Sequence, residues 1–246
     1  MWKIKINDIR RLQFEITSYC NAYCPSCERQ QEREKHFLIP ELNDEILNYD
    51  KLKRWFRYDF SNLETVHLCG NIDEPILHPQ ILKIIDFFSK KVKLHVLVST
   101  NGCARDDDFW IEMAKRKKLI VIWGLDGLQN TNHLYRKNLD WNKIQNNFEI
   151  FNKNGGQSIW QFIIFDHNKH EIDNARNFSK EKNFKMFNLI NSNRENKTIN
   201  AIRKLKPKSR KISCKATYNS EEIQESFYIN SKGFVFPCCW IATSFS

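Results

Sequence analysis

The chain of 246 residues has no long hydrophobic run. No apolar stretch approaches the roughly 18 residues that a membrane-spanning helix needs, so no transmembrane segment and no membrane partner are expected. The first five residues include two lysines, and the N-terminus lacks the long apolar core and small-residue cleavage site of a secretory signal. We therefore expect a protein of the cytoplasm.

Hydrophobic residues make up 41% of the sequence and aromatic residues 13%, which is typical of a globular protein with a sizeable core. Eight cysteines would suit a secreted disulfide scaffold only in a much shorter chain. In a chain of this length they indicate a reducing compartment and metal ligation.

The formal net charge of +10 is distributed unevenly. Segment 194–211 holds eight Lys or Arg residues and one Glu, so this short stretch carries most of the excess. It contains no interleaved aromatic side chains on which bases could stack, which favours a solvated basic linker over a nucleic-acid-binding surface. The second interpretation stays open.

Strand-like and helix-like segments alternate from the N-terminus to about residue 190. The predicted strands are 12–17, 64–69, 93–99, 119–123, 158–165 and 185–190, and the predicted helices are 41–58, 79–90, 106–117, 141–154 and 171–182. Parallel strands need long crossovers, so six such units in series predict an α/β parallel sheet that forms a partial or complete barrel. Chemistry in such a fold collects at the carboxyl ends of the strands.

Cys20, Cys24 and Cys27 follow the first predicted strand. Three thiolates can hold a four-iron cluster and leave its fourth iron open for chemistry. Structural zinc requires a fourth ligand, for which His36 is the nearest candidate. A disulfide or free thiols are the remaining alternatives.

The spacing of these cysteines resembles the signature of the radical SAM enzymes. The resemblance implies a partial (β/α)6 TIM-like barrel, here with a small C-terminal β-hairpin extension, and a [4Fe-4S] cluster whose open iron takes S-adenosylmethionine. Reductive cleavage of S-adenosylmethionine then gives a 5′-deoxyadenosyl radical, which abstracts hydrogen from the substrate. The resemblance also implies an external one-electron reductant such as flavodoxin or ferredoxin.

Segment 69–79 follows the second strand and resembles the Gly-Gly-Glu-Pro motif of the same enzymes, which accepts the amino group of the cofactor. Asp73 stands where the second glycine would be, and Glu74 and Pro75 are the matched positions. A turn with a capping acid before the next helix is the alternative. The residues of this segment expected to bind the cofactor are Gly70, Asn71, Asp73, Glu74 and Pro75.

Segment 99–102 ends the third strand and resembles the Thr-Asn-Gly segment of the family, in which polar side chains face the ribose and methionine parts of the cofactor. Ser99, Asn101 and Gly102 are therefore expected to bind the cofactor. An ordinary Asn-Gly turn is the alternative.

Segment 123–128 ends the fourth strand and resembles the family's Ser-x-Asp-Gly segment, with Gly124 in place of the hydroxyl residue. The resemblance implies a catalytic role for Asp126, and the alternative is a turn cap. Arg136 resembles the arginine that pairs the cofactor carboxylate, unless it lies on the surface. Gln161 interrupts an apolar strand and is expected to point into the barrel, toward the cofactor.

A second cysteine group, Cys214, Cys238 and Cys239, flanks a predicted hairpin. It resembles the start of the SPASM or Twitch extensions, which hold an auxiliary iron-sulfur cluster, but the further downstream cysteines of those extensions are missing. We expect a barrel at 1–192, a basic linker at 193–213 and an incomplete auxiliary region at 214–246.

The sequence thus predicts a radical SAM enzyme. A SPASM-like tail favours a peptide or protein substrate over a carbohydrate or nucleotide. The alternative is a zinc-stabilised nucleic-acid-binding module without catalysis.

Overall fold

The computed structural model describes residues 5–25, 27, 29, 45–191 and 226–236. Within these ranges an eight-stranded sheet has the order β6-β5-β4-β3-β2-β1-β7-β8. All neighbouring strands are parallel except β7 and β8, which are antiparallel. The strands are β1 Arg11–Phe14, β2 Thr65–Leu68, β3 His95–Thr100, β4 Leu119–Gly124, β5 Ser158–Ile164, β6 Met186–Asn191, β7 Ser226–Ile229 and β8 Val235–Phe236.

Helices connect the parallel strands. They are α1 Tyr49–Trp55, α2 Ile81–Ser89, α3 Asp107–Ala114, α4 Asn132–Tyr135, α5 Trp141–Lys153 and α6 Ile172–Glu181. The first six strands lie in sequence order across the sheet, as expected for serial crossovers. The predicted α/β partial barrel is confirmed, and in the described part of the chain its sheet is not closed.

The strands alternate between two environments. On β4 and β5, Val121, Trp123, Trp160 and Phe162 are fully buried in the main core. Gln161 lies between two of these positions and therefore faces the opposite side of the sheet, toward the inside of the barrel. The prediction that Gln161 points into the barrel is confirmed.

Two predicted boundaries were wrong near the first crossover. The strand predicted at 12–17 ends at Phe14, and Thr17 instead forms an isolated antiparallel bridge with Ile46. The helix predicted at 41–58 begins at Tyr49 within its described part, because the Asn48 side chain caps it by accepting from the N–H groups of residues 50 and 51. The residues just before Asn48 pair with the chain after β1 and cannot be helical.

The C-terminal hairpin of β7 and β8 turns at Asn230, whose carbonyl accepts the N–H of Gly233 at 2.9 Å. The hairpin joins the main sheet, because β7 pairs in parallel with β1 from the register Arg11↔Ser226 to Phe14↔Ile229. The predicted linker 193–213 and Cys214, Cys238 and Cys239 lie outside the described residues, so the division into three regions stays a prediction. Over the ranges that are described, no helix combines the length and apolarity that a membrane span requires.

Candidate active site

A cavity of about 210 Å³ lies at the carboxyl ends of the parallel strands. This cavity is lined by eleven of the site residues that the sequence motifs predicted. They are Cys20, Cys24, Cys27, Gly70, Asn71, Asp73, Glu74, Ser99, Asn101, Arg136 and Gln161. Three other predicted residues, Pro75, Gly102 and Asp126, lie close by in sequence but outside the lining.

The loop that carries Cys20, Cys24 and Cys27, called the cysteine loop below, is held at the cavity by hydrogen bonds to loops that are distant in sequence. The Asn21 side chain donates to the main-chain carbonyl of Cys103 at 2.9 Å and accepts from the side-chain NH2 group of Asn101 at 2.8 Å. Its main-chain carbonyl accepts from Asn138 at 2.8 Å. Within the loop, the Cys27 N–H donates to the Cys24 carbonyl at 3.0 Å. These contacts hold three thiols at one side of one cavity.

Cys20, Cys24 and Cys27 are free thiols, and the surroundings of Cys20 and Cys24 favour their neutral forms. Burial, and after it the charge of Glu74, raises the pKa of Cys20 to about 12. Burial also raises the pKa of Cys24, although the positive charge of Arg136 opposes this shift. A cationic metal centre would stabilise the thiolates and release their protons.

Three acidic side chains lie beneath the cysteine loop. Glu15 accepts the Ile72 N–H at 3.0 Å, and Asp73 accepts the Thr17 N–H at 3.2 Å, so the loops after β1 and β2 are joined twice. Burial, followed by the charge of Glu15, raises the pKa of Asp73. Burial raises the pKa of Glu74 to about 7. A bound cation would stabilise the charged forms of Asp73 and Glu74, which both line the cavity.

The turn interpretation of this motif predicted a capping acid before the helix at 79–90, but that helix, α2, begins at Ile81, and Gln80, which precedes it, makes no side-chain capping hydrogen bond. Glu74 precedes a short 3-10 helix at Pro75–Leu77. Its Oε2 accepts the N–H of Asn101 at 2.7 Å, at the end of β3. Among the described residues its Oε1 and Asp73 Oδ1 have no hydrogen-bond partner. Both residues line the cavity and can accept hydrogen bonds from a ligand there.

Gly102 has a structural role beside the site. Its φ is 75°, and an added Cβ would lie 2.8 Å from the ring of Trp123, so only glycine fits without displacement. Its N–H donates to Thr100 Oγ1 at 2.9 Å. The backbone turn brings Ser99 and Asn101 to the cavity.

Arg136 is not a surface arginine, because its side chain is only 17% exposed and lines the cavity. Its Nε donates to Asp126 Oδ2 at 2.6 Å. Asp126 is fully buried, and its Oδ1 accepts the Ile163 N–H at 2.8 Å. Burial by itself would lower the pKa of Arg136. The carboxylate of Asp126 raises it, and the net pKa of Arg136 lies above the ordinary value for arginine. The direct partner of Asp126 is thus Arg136, and its catalytic role stays a prediction.

Sequence analysis missed several residues at this site. Asn21 carries no motif signal, because its contacts depend on loops that are distant in sequence. His67 lies on β2 between buried Val66 and Leu68, and strand alternation could have placed it inside the barrel. Its Nε2 lies 2.8 Å from Ser99 Oγ, and burial lowers its pKa to about 4. Cys69 also lines the cavity.

The donor set fits an iron-sulfur cluster. Over the described ranges, no three His, Cys, Asp or Glu side chains are arranged to hold a single metal ion. A four-iron cluster makes a different demand, since each thiolate binds a separate iron, and three soft thiols around one cavity meet it. The unpartnered oxygens of Asp73 and Glu74 lie in the same cavity, ready for the cationic part of a ligand. His36, the zinc candidate, lies outside the described residues.

No model of a known protein family matches the chain. A search of curated proteins finds no match either.

Solved structures share the fold at low sequence identity. SuiB of Streptococcus suis, bound to the precursor peptide SuiA, is similar with a TM-score of 0.72 and 15% identity over 96% of this chain and 60% of that chain. Native anSMEcpe with bound AdoMet has a TM-score of 0.57 and 20% identity over 74% of this chain and 51% of its own.

Methylornithine synthase (PylB) has a TM-score of 0.50 and 13% identity, with 75% of this chain and 54% of that chain covered. The chain thus spans between about half and three fifths of the length of these proteins. All three are radical SAM enzymes. The chain therefore has the open, mostly parallel α/β partial-barrel fold of the radical SAM enzymes.

Proposed function

We propose that this protein is a radical SAM enzyme. The observation that carries the proposal is the placement of Cys20, Cys24 and Cys27 around the cavity that Glu74 and Arg136 also line. The cavity lies at the carboxyl ends of parallel strands, where this fold class builds active sites.

The three thiols would hold a [4Fe-4S] cluster, and the cavity would hold S-adenosylmethionine. When bound, these groups supply reductive cleavage of the sulfonium and a 5′-deoxyadenosyl radical that abstracts hydrogen from the substrate. The protein supplies position and the exclusion of water. An external one-electron reductant of the flavodoxin or ferredoxin type would deliver the electron.

Each side of the cavity offers groups for one part of the cofactor. The free Oε1 of Glu74 and the carboxyl of Asp73 suit the amino group. Arg136 suits the carboxylate, because a guanidinium can donate two parallel hydrogen bonds to it. Ser99 and Asn101 suit the ribose hydroxyls, and Gln161 lies across the cavity on β5.

A peptide or protein is the favoured substrate, with carbohydrates and nucleotides as alternatives. Two structures of similar fold contain peptides: SuiB with the precursor peptide SuiA, and anSMEcpe with the peptide Cp18Cys. Peptides carrying deuterium at carbon are the probe for this class. Transfer of deuterium into 5′-deoxyadenosine would support it, and transfer only from labelled sugars or nucleosides would contradict it.

The central test uses anaerobically reconstituted full-length protein. The purified protein should be brown and contain iron and sulfide, and dithionite with S-adenosylmethionine should yield 5′-deoxyadenosine. Cys24→Ala should abolish both the cluster held by Cys20, Cys24 and Cys27 and the formation of 5′-deoxyadenosine. Cys103→Ala is the matched control, because Cys103 is also a free, partly buried thiol but does not line the cavity. A colourless zinc protein, or full activity in a variant lacking all three loop thiols, would overturn the proposal.

An auxiliary cluster on Cys214, Cys238 and Cys239 is the second part of the proposal. Iron content of the variant that lacks Cys20, Cys24 and Cys27 tests it directly. Iron retained in that variant, and lost when Cys238 and Cys239 are also replaced, would support a second cluster. Complete loss of iron in the first variant would refute it.

A further inference from the structure

The pair formed by Asp126 and Arg136 is held rigidly beside the cysteine loop. Arg136 Nε donates to Asp126 Oδ2 at 2.6 Å, while Asp126 Oδ1 accepts the Ile163 N–H from β5 at 2.8 Å. Asp126 is also bonded to Asn132, whose side-chain oxygen accepts the Asp126 N–H at 2.9 Å. A buried carboxylate with both oxygens occupied fixes the direction in which its arginine partner extends.

Gly124 supplies the space that the guanidinium occupies. A Cβ at this position would lie 2.9 Å from Arg136 Nη2 and 3.3 Å from Cζ. On its other side the guanidinium carbon lies 5.7 Å from the centre of the Tyr135 ring. The resembling motif has a hydroxyl residue where this chain has Gly124.

The positioned guanidinium lies in the same cavity as the sulfur of Cys24. Both residues line that cavity, and Tyr135 packs against Cys24. Arg136 brings a positive charge to the cavity, and the fully buried Asp126, which accepts its hydrogen bond, places a negative charge behind it. Negative charge on the Cys24 sulfur is therefore favoured by Arg136 and disfavoured by Asp126.

The same interactions apply to an electron added to a cluster bound through that sulfur. Reduction makes the cluster and its thiolate ligands more negative, so a nearby positive charge or hydrogen-bond donor raises the reduction potential. A nearby negative charge lowers it. Both effects are strong where water is excluded.

We propose that Arg136 and Asp126 are positioning residues that set the reduction potential of the cluster held by Cys24. Arg136 raises the potential and Asp126 moderates the effect while fixing the guanidinium in place. This inference rests on the proposed function, since it requires a cluster at Cys20, Cys24 and Cys27. It adds a role for the pair that is separate from contact with S-adenosylmethionine.

The experiment is a redox titration of the reconstituted full-length protein without S-adenosylmethionine, followed by electron paramagnetic resonance of the reduced cluster. Arg136→Gln should lower the ratio of reduced to oxidised cluster about tenfold at a fixed potential, which is about 59 mV for a one-electron couple. Asp126→Asn should raise the ratio. Lys137→Gln removes the same charge from an exposed neighbouring position and should leave the ratio unchanged.

Shifts of opposite sign in the two variants would support the inference, because a general loss of structure would not reverse its sign. Unchanged ratios in both variants, with normal iron content, would overturn the inference and leave the proposed function standing. Absence of a cluster from the wild-type protein would overturn both. If Arg136→Gln fails to load iron, Asp126→Asn decides the matter, and a ratio equal to that of the wild type in this variant would refute the inference.

Discussion

Glu74 and Asn101 join the ends of two neighbouring strands through one hydrogen bond of 2.7 Å between the carboxylate and the main-chain N–H. Glu74 is buried, and among the described residues its second oxygen has no partner. One oxygen of the carboxylate therefore fixes the geometry of two motifs, while the other is available to a ligand in the cavity.

Glu74→Gln separates these two roles. The amide oxygen can still accept from Asn101, so the fold should persist, but the negative charge is lost. We expect the affinity for S-adenosylmethionine to fall at least about tenfold, since a hydrogen bond to a charged group contributes roughly 1.5–3 kcal/mol. Anaerobic equilibrium dialysis measures this. Glu112→Gln, at an exposed position on α3, should bind normally, and wild-type affinity in Glu74→Gln would contradict the assignment.

The same carboxyl should impose a pH dependence on binding. Because burial raises the pKa of Glu74 to about 7, the ligand-free carboxyl is protonated below that pH and must lose its proton to accept an ammonium group. Affinity should therefore fall by up to about tenfold per unit as the pH drops below 7, and level off above it. The slope should disappear in Glu74→Gln.

The fold was predictable because its signals are local. The strand predicted at 119–123 is rich in β-branched and aromatic residues, and Asp106, the first residue of the helix predicted at 106–117, caps α3 by accepting from the N–H of Phe109. Convergence of the cysteine loop with Glu74 and Asn101 was also predictable, because the carboxyl ends of parallel strands meet at one edge.

The remaining features depend on contacts across the chain. Asn21 bonds to residues 80, 82 and 117 positions away, and nothing in the local sequence marks such partners. Gly124 stands where the resembling motif has a hydroxyl residue. The structure gives the reason, because the guanidinium of Arg136 occupies the space that a side chain at this position would need. The parallel pairing of β7 with β1 joins opposite ends of the sequence.

Asn21→Ala should detach the cysteine loop without disturbing the core. Two side-chain hydrogen bonds are lost, each contributing about 1 kcal/mol, so the free energy of unfolding should fall by about 2 kcal/mol. Iron content after reconstitution should drop, because the thiols are no longer held around the cavity. Asn154→Ala loses one exposed bond within its own turn and should keep its iron. Full iron content in Asn21→Ala would show that the loop does not need this anchor.

His67 should give the protein a specific acid sensitivity. Burial lowers its pKa to about 4, from about 6.5 in an unfolded chain, so the unfolded state binds the proton more tightly. The stability associated with the neutral ring is fully present above pH 6.5 and is lost as the pH falls toward 4, by up to about 3 kcal/mol. The raised pKa values of Asp73 and Glu74 act in the opposite direction.

A comparison of unfolding curves isolates the effect of the ring. His67→Gln can still bond to Ser99 but does not titrate, and the acidic groups are common to both proteins. The difference in unfolding free energy between wild type and His67→Gln should be constant above pH 7. Below pH 6.5 the wild type should lose stability relative to His67→Gln. His133→Gln, at an exposed histidine, should show no such divergence. A pH-independent difference for His67→Gln would contradict the burial argument.

Gly124→Ser restores the hydroxyl residue of the resembling motif and should be unfavourable here. Its Cβ would lie 2.9 Å from Arg136 Nη2, so the guanidinium must move away from the geometry that pairs it with Asp126. We expect a loss of about 1–3 kcal/mol in the free energy of unfolding, the usual cost of overpacking. Urea denaturation measures it.

A double-mutant cycle with Arg136→Gln tests the cause of that loss. If the guanidinium is what serine displaces, the serine should cost less when Arg136 is already shortened, with a coupling of at least about 0.5 kcal/mol. Breaking the buried ion pair has its own cost, but this cost is present in both variants that carry Arg136→Gln. It therefore cancels in the coupling energy. Strict additivity would mean that Gly124 and Arg136 are independent, and that another property of glycine is needed at the end of β4.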